Sequence, residues 1–311
     1  MTHIVRGILS GAGLLAAAGC ALNTRPTVAP VRMAELWQAP HDLEKRDLLK
    51  GPGGTGDTLR PNDRFKLTGF KASGTNVGYD VEDELGREWS VKLGVESRVE
   101  VAVSRLVWAI GYHQPVVHYV PAWTLTGDGD TRVERPARFR LEPEGTTKEG
   151  EWAWNNNPFL GTRPLAGLFV MMVIVNNWDL KTVQNPVFEV ERGDVKHTQY
   201  MVRDLGGSLG KTAWIRFATK GELADFEAEP FIEEIDNNRV RFYYQGGWRE
   251  PQLINSIAPD DVRWVCELLA RLSPAQLHDA FRAGGFTDAE GDRYVGRLQE
   301  KIAQGRLIRS K

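Results

Sequence analysis

Cysteine is scarce in this chain, with only Cys20 and Cys266 among 311 residues, which excludes a disulfide framework and any four-cysteine zinc site. Long runs of lysine or arginine are also missing, and the formal net charge is -2. A nucleic-acid binder needs a basic stripe to neutralise phosphates, so no nucleic-acid partner is expected. His41, His113, His118 and His197 show no metal-ligand spacing, which argues against zinc. There is no internal repeat and no low-complexity run. What is there, 41% hydrophobic and 26% charged residues, supplies ample core for one large domain or two lobes.

The N-terminus carries a targeting pattern. His3 and Arg6 precede an apolar stretch, Gly7 to Gly19, that ends in small residues. Charged, apolar and small-residue regions in that order make a secretory signal. The stretch is too short for a comfortable transmembrane helix. Leu15-Ala16-Ala17-Ala18-Gly19-Cys20 resembles a bacterial lipobox, which implies a lipid anchor on Cys20. The expected location is therefore the cell envelope, exported and membrane-anchored, at the outer membrane or periplasmic face in a Gram-negative cell. Residues 21–60, with Pro26, Pro30 and Pro40, read as a tether, with a short helix over Asp42 to Lys50 stopped by Gly51-Pro52-Gly53-Gly54. No Gly-Lys-Ser/Thr follows those glycines, so they form a turn and not a phosphate loop. Cys266 shares a helical stripe with Val262, Val265 and Leu269 and is expected to be a buried thiol.

Residues 61–160 predict a small, mainly antiparallel β lobe with one helix. Phe65 to Lys71, Tyr79 to Asp83 and Trp89 to Leu93 alternate as strands, and the loop Ser73 to Gly78 joins the first two. Gly74 and Gly78 would let backbone approach a phosphate, and Lys92 on the third strand would neutralise it. A helix from Glu96 to Ala109 follows, with Val99, Ala102, Val103 and Leu106 on its apolar stripe. Glu96 and Glu100, one turn apart, share a face. Glu100, deeper in the helix, is the expected partner of Lys92. Val116 to Val120, Ala122 to Leu125 and Arg138 to Leu141 extend the sheet, and Glu142 to Asn157 is expected to be a linker or an inserted loop.

Residues 161–311 predict a larger, mainly helical lobe. An apolar helix, Leu165 to Val175, delivers Asn176-Asn177-Trp178-Asp179-Leu180-Lys181, then Asn185, two strand-like runs and Asp204-Leu205-Gly206-Gly207. Arg239 to Tyr244 is strand-like. Pro259, Pro274 and the Gly284-Gly285 stop then punctuate a helical C-terminus.

Three chemistries compete for the central segment. In phosphotransfer, Asp179 would orient or deprotonate an acceptor hydroxyl and Lys181 would steady the transferred phosphoryl. Asn185 and Asp204 would hold magnesium, a hard cation that needs few protein oxygens. In a serine hydrolase, Gly206-Gly207-Ser208-Leu209-Gly210 would be the nucleophile elbow and His278 the base, although no strand-helix alternation surrounds them. A phosphate loop ending in Gly210-Lys211-Thr212 fails because its first glycine would have to be Leu205.

The order Gly74/Gly78, Lys92, Glu100, Asn177-Trp178-Asp179, Asn185, Asp204-Leu205-Gly206 resembles the atypical secreted kinases, the CotH-type spore-coat kinases and more distantly the Golgi secretory and HipA-type kinases. The resemblance is one of scattered motifs over residues 64 to 300. It implies an α+β, two-lobed protein-kinase-like fold, ATP or another nucleotide with magnesium as cofactors, and a protein acceptor in the envelope or outside the cell. Asn185 stands six residues after Asp179, one more than the usual kinase spacing, and the glycine loop departs from Gly-x-Gly-x-x-Gly. A catalytically silent pseudokinase that serves as a binding module is therefore the alternative reading.

Overall fold

Alternating buried and exposed positions fold the first part of the chain into a sheet. The computed structural model describes residues 25–71, 77–127, 129–214, 216–246, 253 and 255–309. The signal segment, Cys20 and Gly74 lie outside the described residues. Strands β1 (Arg64–Lys71), β2 (Gly78–Asp83), β3 (Glu88–Leu93), β4 (Val117–Val120), β5 (Trp123–Gly127), β6 (Asp130–Glu134) and β7 (Ala137–Leu141) form one sheet in the order β4-β7-β3-β2-β1-β5-β6. Every pair is antiparallel except β1 with β5. One face is an aromatic core of Phe65, Trp89, Trp123 and Phe139, whose rings meet mostly edge to face.

Helix α2 (Glu96–Ala109) packs against β3, β4 and β7. It is buried nearly all round, because it faces the sheet on one side and the helical lobe on the other. The strand registers matter for the site. Lys92 on β3 is paired with Gly78 on β2 and with Arg138 on β7, and Ser90 with Arg140.

The second lobe is built on helix α3 (Arg163–Ile174), apolar on all sides and buried, with the Thr162 hydroxyl accepting from the Leu165 amide at its start. Around it stand α4 (Leu223–Ala228), α5 (Pro259–Ala270), α6 (Pro274–Ala283) and α7 (Asp288–Leu307). Ser273 and Thr287 cap α6 and α7 reciprocally with Gln276 and Glu290. Cys266 is buried, as its stripe implies, and burial pushes its thiol up to about 12. The whole is a mixed α+β fold with a sheet-rich lobe and a helical lobe.

Three expectations need correction. The 142–157 stretch is not a plain linker, because β8 (Thr146–Glu151) pairs with β9 (Pro186–Arg192), which pairs with β10 (Val195–Tyr200). Nor is the 21–60 segment a loose tether over its described part. It carries a short helix, α1 (Pro30–Met33), buries Leu36, Leu43 and Leu48, and ties the Trp37 indole to the Ile110 carbonyl at 2.8 Å. The helix expected over Asp42 to Lys50 shrinks to a single 3-10 turn, Leu43–Lys45.

Candidate active site

Three elements bring charged groups together beneath the sheet. Lys92 leaves β3 with its ammonium 2.6 Å from Glu96 and 3.6 Å from Glu100. The same ammonium bonds Asp204, which follows β10 on the other lobe. Glu100 is held from behind by Arg138 at 3.0 Å, and Glu96 also pairs with Lys220. Glu96, at the first turn of α2, is thus the nearer partner of Lys92, and the choice of Glu100 alone is corrected to a pair of acids. Burial opposes the Lys92 charge, but the carboxylates of Glu100, Asp204 and Glu96 outweigh it and raise its pKa above the ordinary lysine range. Burial likewise opposes the charge on Asp204, and Lys92 overrides it to hold that carboxyl below its usual range.

The loop after α3 is fixed from several sides. Asn176, Asp204 and Leu209 all have left-handed backbone, with φ of 55°, 57° and 58°, and such conformations persist only where the surroundings enforce them. Buried Lys301 on α7 donates to the Ile174 carbonyl at 3.1 Å and to Asn176 at 2.7 Å. Tyr244 donates to the Asn177 carbonyl, and the Trp178 indole donates to the Thr219 carbonyl at 3.1 Å. The Asn177 side chain accepts from the Asp179 amide at 3.0 Å, an Asx turn that presents the Asp179 carboxylate. Lys181 donates to that carboxylate at 2.7 Å.

Asn185 does not face the cleft. It is buried, and its amide donates to the Trp152 carbonyl at 3.2 Å. Its neighbour Gln184 takes the place instead, donating to Asp179 at 3.0 Å and to Asp204 at 3.4 Å. Gln184 stands five residues after Asp179, so the spacing already pointed to it. Arg138 and Lys220 were hidden from the sequence, because they arrive through strand register and a distant loop.

These groups line a cleft of about 580 Å³. Its walls carry seven cations (Lys71, Lys92, Arg138, Arg140, Lys181, Arg203, Lys220) against three carboxylates (Glu96, Asp179, Asp204), an excess of four. Further acids, Asp80, Glu100 and Glu142, pair with Lys71, Arg138 and Arg140 from outside that lining. Gly78 also lines the cleft, and a side chain there would meet the Val91 carbonyl at 2.9 Å. Such a site suits a polyanion. Asp204 and Asp179 are hard oxygen donors in adjacent loops, the small set that magnesium accepts while keeping several waters, and Gln184 turns its amide nitrogen to both while its oxygen accepts from the Lys181 amide at 3.4 Å.

The hydrolase alternative finds no support. Ser208 is fully buried and its hydroxyl has no hydrogen-bond partner among the described residues, so no base there activates it. His278 on α6 instead pairs with Asp292 at 3.4 Å. Thr212, from the near-miss phosphate loop, is buried and bonded to Glu229.

No known family and no curated protein matches the chain. Solved structures that resemble it include two kinases. The Helicobacter pylori proinflammatory kinase CtkA is 12% identical, over 79% of this chain and 97% of its own, with a TM-score of 0.47. The Golgi casein kinase is 7% identical, over 89% of this chain and 85% of its own, with a TM-score of 0.40.

Proposed function

We propose that this chain transfers a phosphoryl group from a magnesium-bound nucleoside triphosphate, ATP by expectation, to a hydroxyl of a protein in the cell envelope or outside the cell. The meeting of Lys92, its two helix acids and Asp204 across a cation-lined cleft from Asp179 carries the reading. Lys92 grips the phosphate chain and is itself aimed by Glu96 and Glu100. Asp204, with Asp179 opposite and Gln184 bridging the two carboxylates, would hold the metal, which when bound neutralises the phosphates. Asp179 accepts the proton of the attacking hydroxyl as the new oxygen–phosphorus bond forms and the terminal anhydride bond breaks, releasing the diphosphate. Lys181 lies where charge collects on the transferred group.

The experiment is a thermal-shift titration with magnesium and ATP, paired with a phosphate-transfer assay on envelope proteins. A ligand at about 100 times its Kd stabilises the folded state by ~2.7 kcal/mol. Wild type should shift, Asp204→Ala should not, and Asp179→Asn should shift but transfer nothing. An equal shift in Asp204→Ala would sink the nucleotide site. One observation favours a second reading, a silent binding module: Lys181 and Gln184 both already donate to the same Asp179 oxygen. Under that reading wild type shifts with nucleotide and transfers nothing.

A further inference from the structure

The end of the cleft beyond Lys92 holds charge where a base would need grease. Ser90 lies two residues along β3 from Lys92, ~7 Å by strand geometry, and Arg140 is its partner on β7. The Ser90 hydroxyl accepts from Lys71 at 2.8 Å and from Arg140 at 3.2 Å. Arg203, which lines the cleft, has its guanidinium over the Phe188 ring on β9, 5.0 Å from the centroid. Arg203 has no carboxylate within ion-pair distance among the described residues.

Pockets for small organic ligands are mostly apolar, with a few convergent polar groups. Here the polarity is reversed. The apolar lining residues Trp178, Val183 and Ala218 accompany Asp179, Lys181 and Lys220, Val91 sits between Ser90 and Lys92 on β3, and Lys71, Arg140 and Arg203 occupy the far end. Among the described residues, a ligand running from Asp179 past Lys92 and Asp204 to Arg140 meets cations along its length and no slot between two apolar faces.

We propose that the cleft recognises its ligand through a phosphate chain alone, so that base-free linear polyphosphate occupies it as a nucleotide's phosphates do. The inference rests on the phosphotransfer reading and narrows its donor to phosphoanhydrides without a required base.

The full chain would be titrated calorimetrically, in magnesium, with ATP, tripolyphosphate and adenosine. Tripolyphosphate should bind within about threefold of ATP, because the same contacts serve both, and adenosine should neither bind nor compete. Arg140→Gln and Arg203→Ala should each weaken ATP and tripolyphosphate in parallel, by about fivefold or more, with steep salt dependence. Circular dichroism would check folding, and Arg140→Gln is read alone if Arg203→Ala fails to fold. ATP binding more than about tenfold tighter than tripolyphosphate, or displacement of either ligand by adenosine, would overturn the base-free site and leave the phosphotransfer reading standing. Binding of neither ATP nor tripolyphosphate would remove both.

Discussion

Gln184 and Asn185 are adjacent, chemically alike and turned to opposite purposes. Gln184 reaches two carboxylates of the cleft, whereas Asn185 satisfies a buried carbonyl of Trp152. Gln184→Ala should therefore weaken magnesium-dependent ligand binding by about 1–2 kcal/mol while leaving unfolding nearly unchanged, since a hydrogen bond to a charged group contributes on that scale. Asn185→Ala should do the reverse, costing ~1–3 kcal/mol of stability by orphaning a buried acceptor, with ligand affinity largely kept. Calorimetry on one axis and urea denaturation on the other check the pair. A deficit in binding confined to Asn185→Ala would return the metal position to that residue. Spacing alone could point at Lys92, Asp179 and Asp204, because each lies at the end of a legible strand or helix. It could not rank Glu96 against Glu100, since the direction of a first-turn side chain depends on how Gly94 and Val95 turn the chain into α2.

Between elements, one close approach is that of α2 to the turn after Asp204. A Cβ on Gly206 would lie 2.6 Å from the Glu96 Cβ, inside any real contact. Gly206→Ala should force the helix off the turn and cost about 1–3 kcal/mol, as overpacking does, measured by urea midpoint. It should also loosen the Lys92–Glu96 pair and reduce ligand affinity together with stability. A second junction is Lys301, which ties α7 to the end of α3. Burial first, then the Arg297 guanidinium, lowers its pKa well below the ordinary lysine value, with Glu229 opposing. The unfolded chain, titrating near ~10.4, then holds more protons than the folded one between the lowered value and ~10.4, so stability rises with pH across that window. Lys92, whose pKa is raised, loses its contribution only above that range. Lys301→Met should flatten the rise, and unfolding midpoints of both proteins near about pH 7 and about pH 9.5 test it. Equal slopes would mean that Lys301 stays protonated. The C-terminal helices were legible because caps and apolar stripes agree there. Strand β8 was not: its sequence, Thr146 to Glu151, has no apolar alternation and is held by its partner β9.

Over the whole molecule, composition concealed the site. A net charge of -2 is an average over 311 residues, and it hides a cleft with seven cations against three acids. The two-lobed organisation could be read from the shift of period, from alternating strands to helical stripes. The bringing together of Lys92 and Asp204, 112 residues apart, could be expected only by resemblance. Envelope anchoring remains a proposal from residues 1–20, and Cys20→Ser should move the mature protein out of the membrane fraction. Retention there would exclude the lipid on Cys20.

The packed N-terminal segment gives that anchor a leash length. Arg25 pairs with Asp261 on α5 at 2.5 Å, and Leu36, Leu43 and Leu48 further along are buried against the body. Only the five residue steps from Cys20 to Arg25 could pay out, at most ~18 Å of extended chain. A lipid on Cys20 would thus hold the domain almost flush with the bilayer. It would sample a thin layer above one leaflet and not the open volume of the compartment. Acceptors embedded in or lying on the same membrane would then be met at high effective concentration, while freely diffusing proteins would be met rarely.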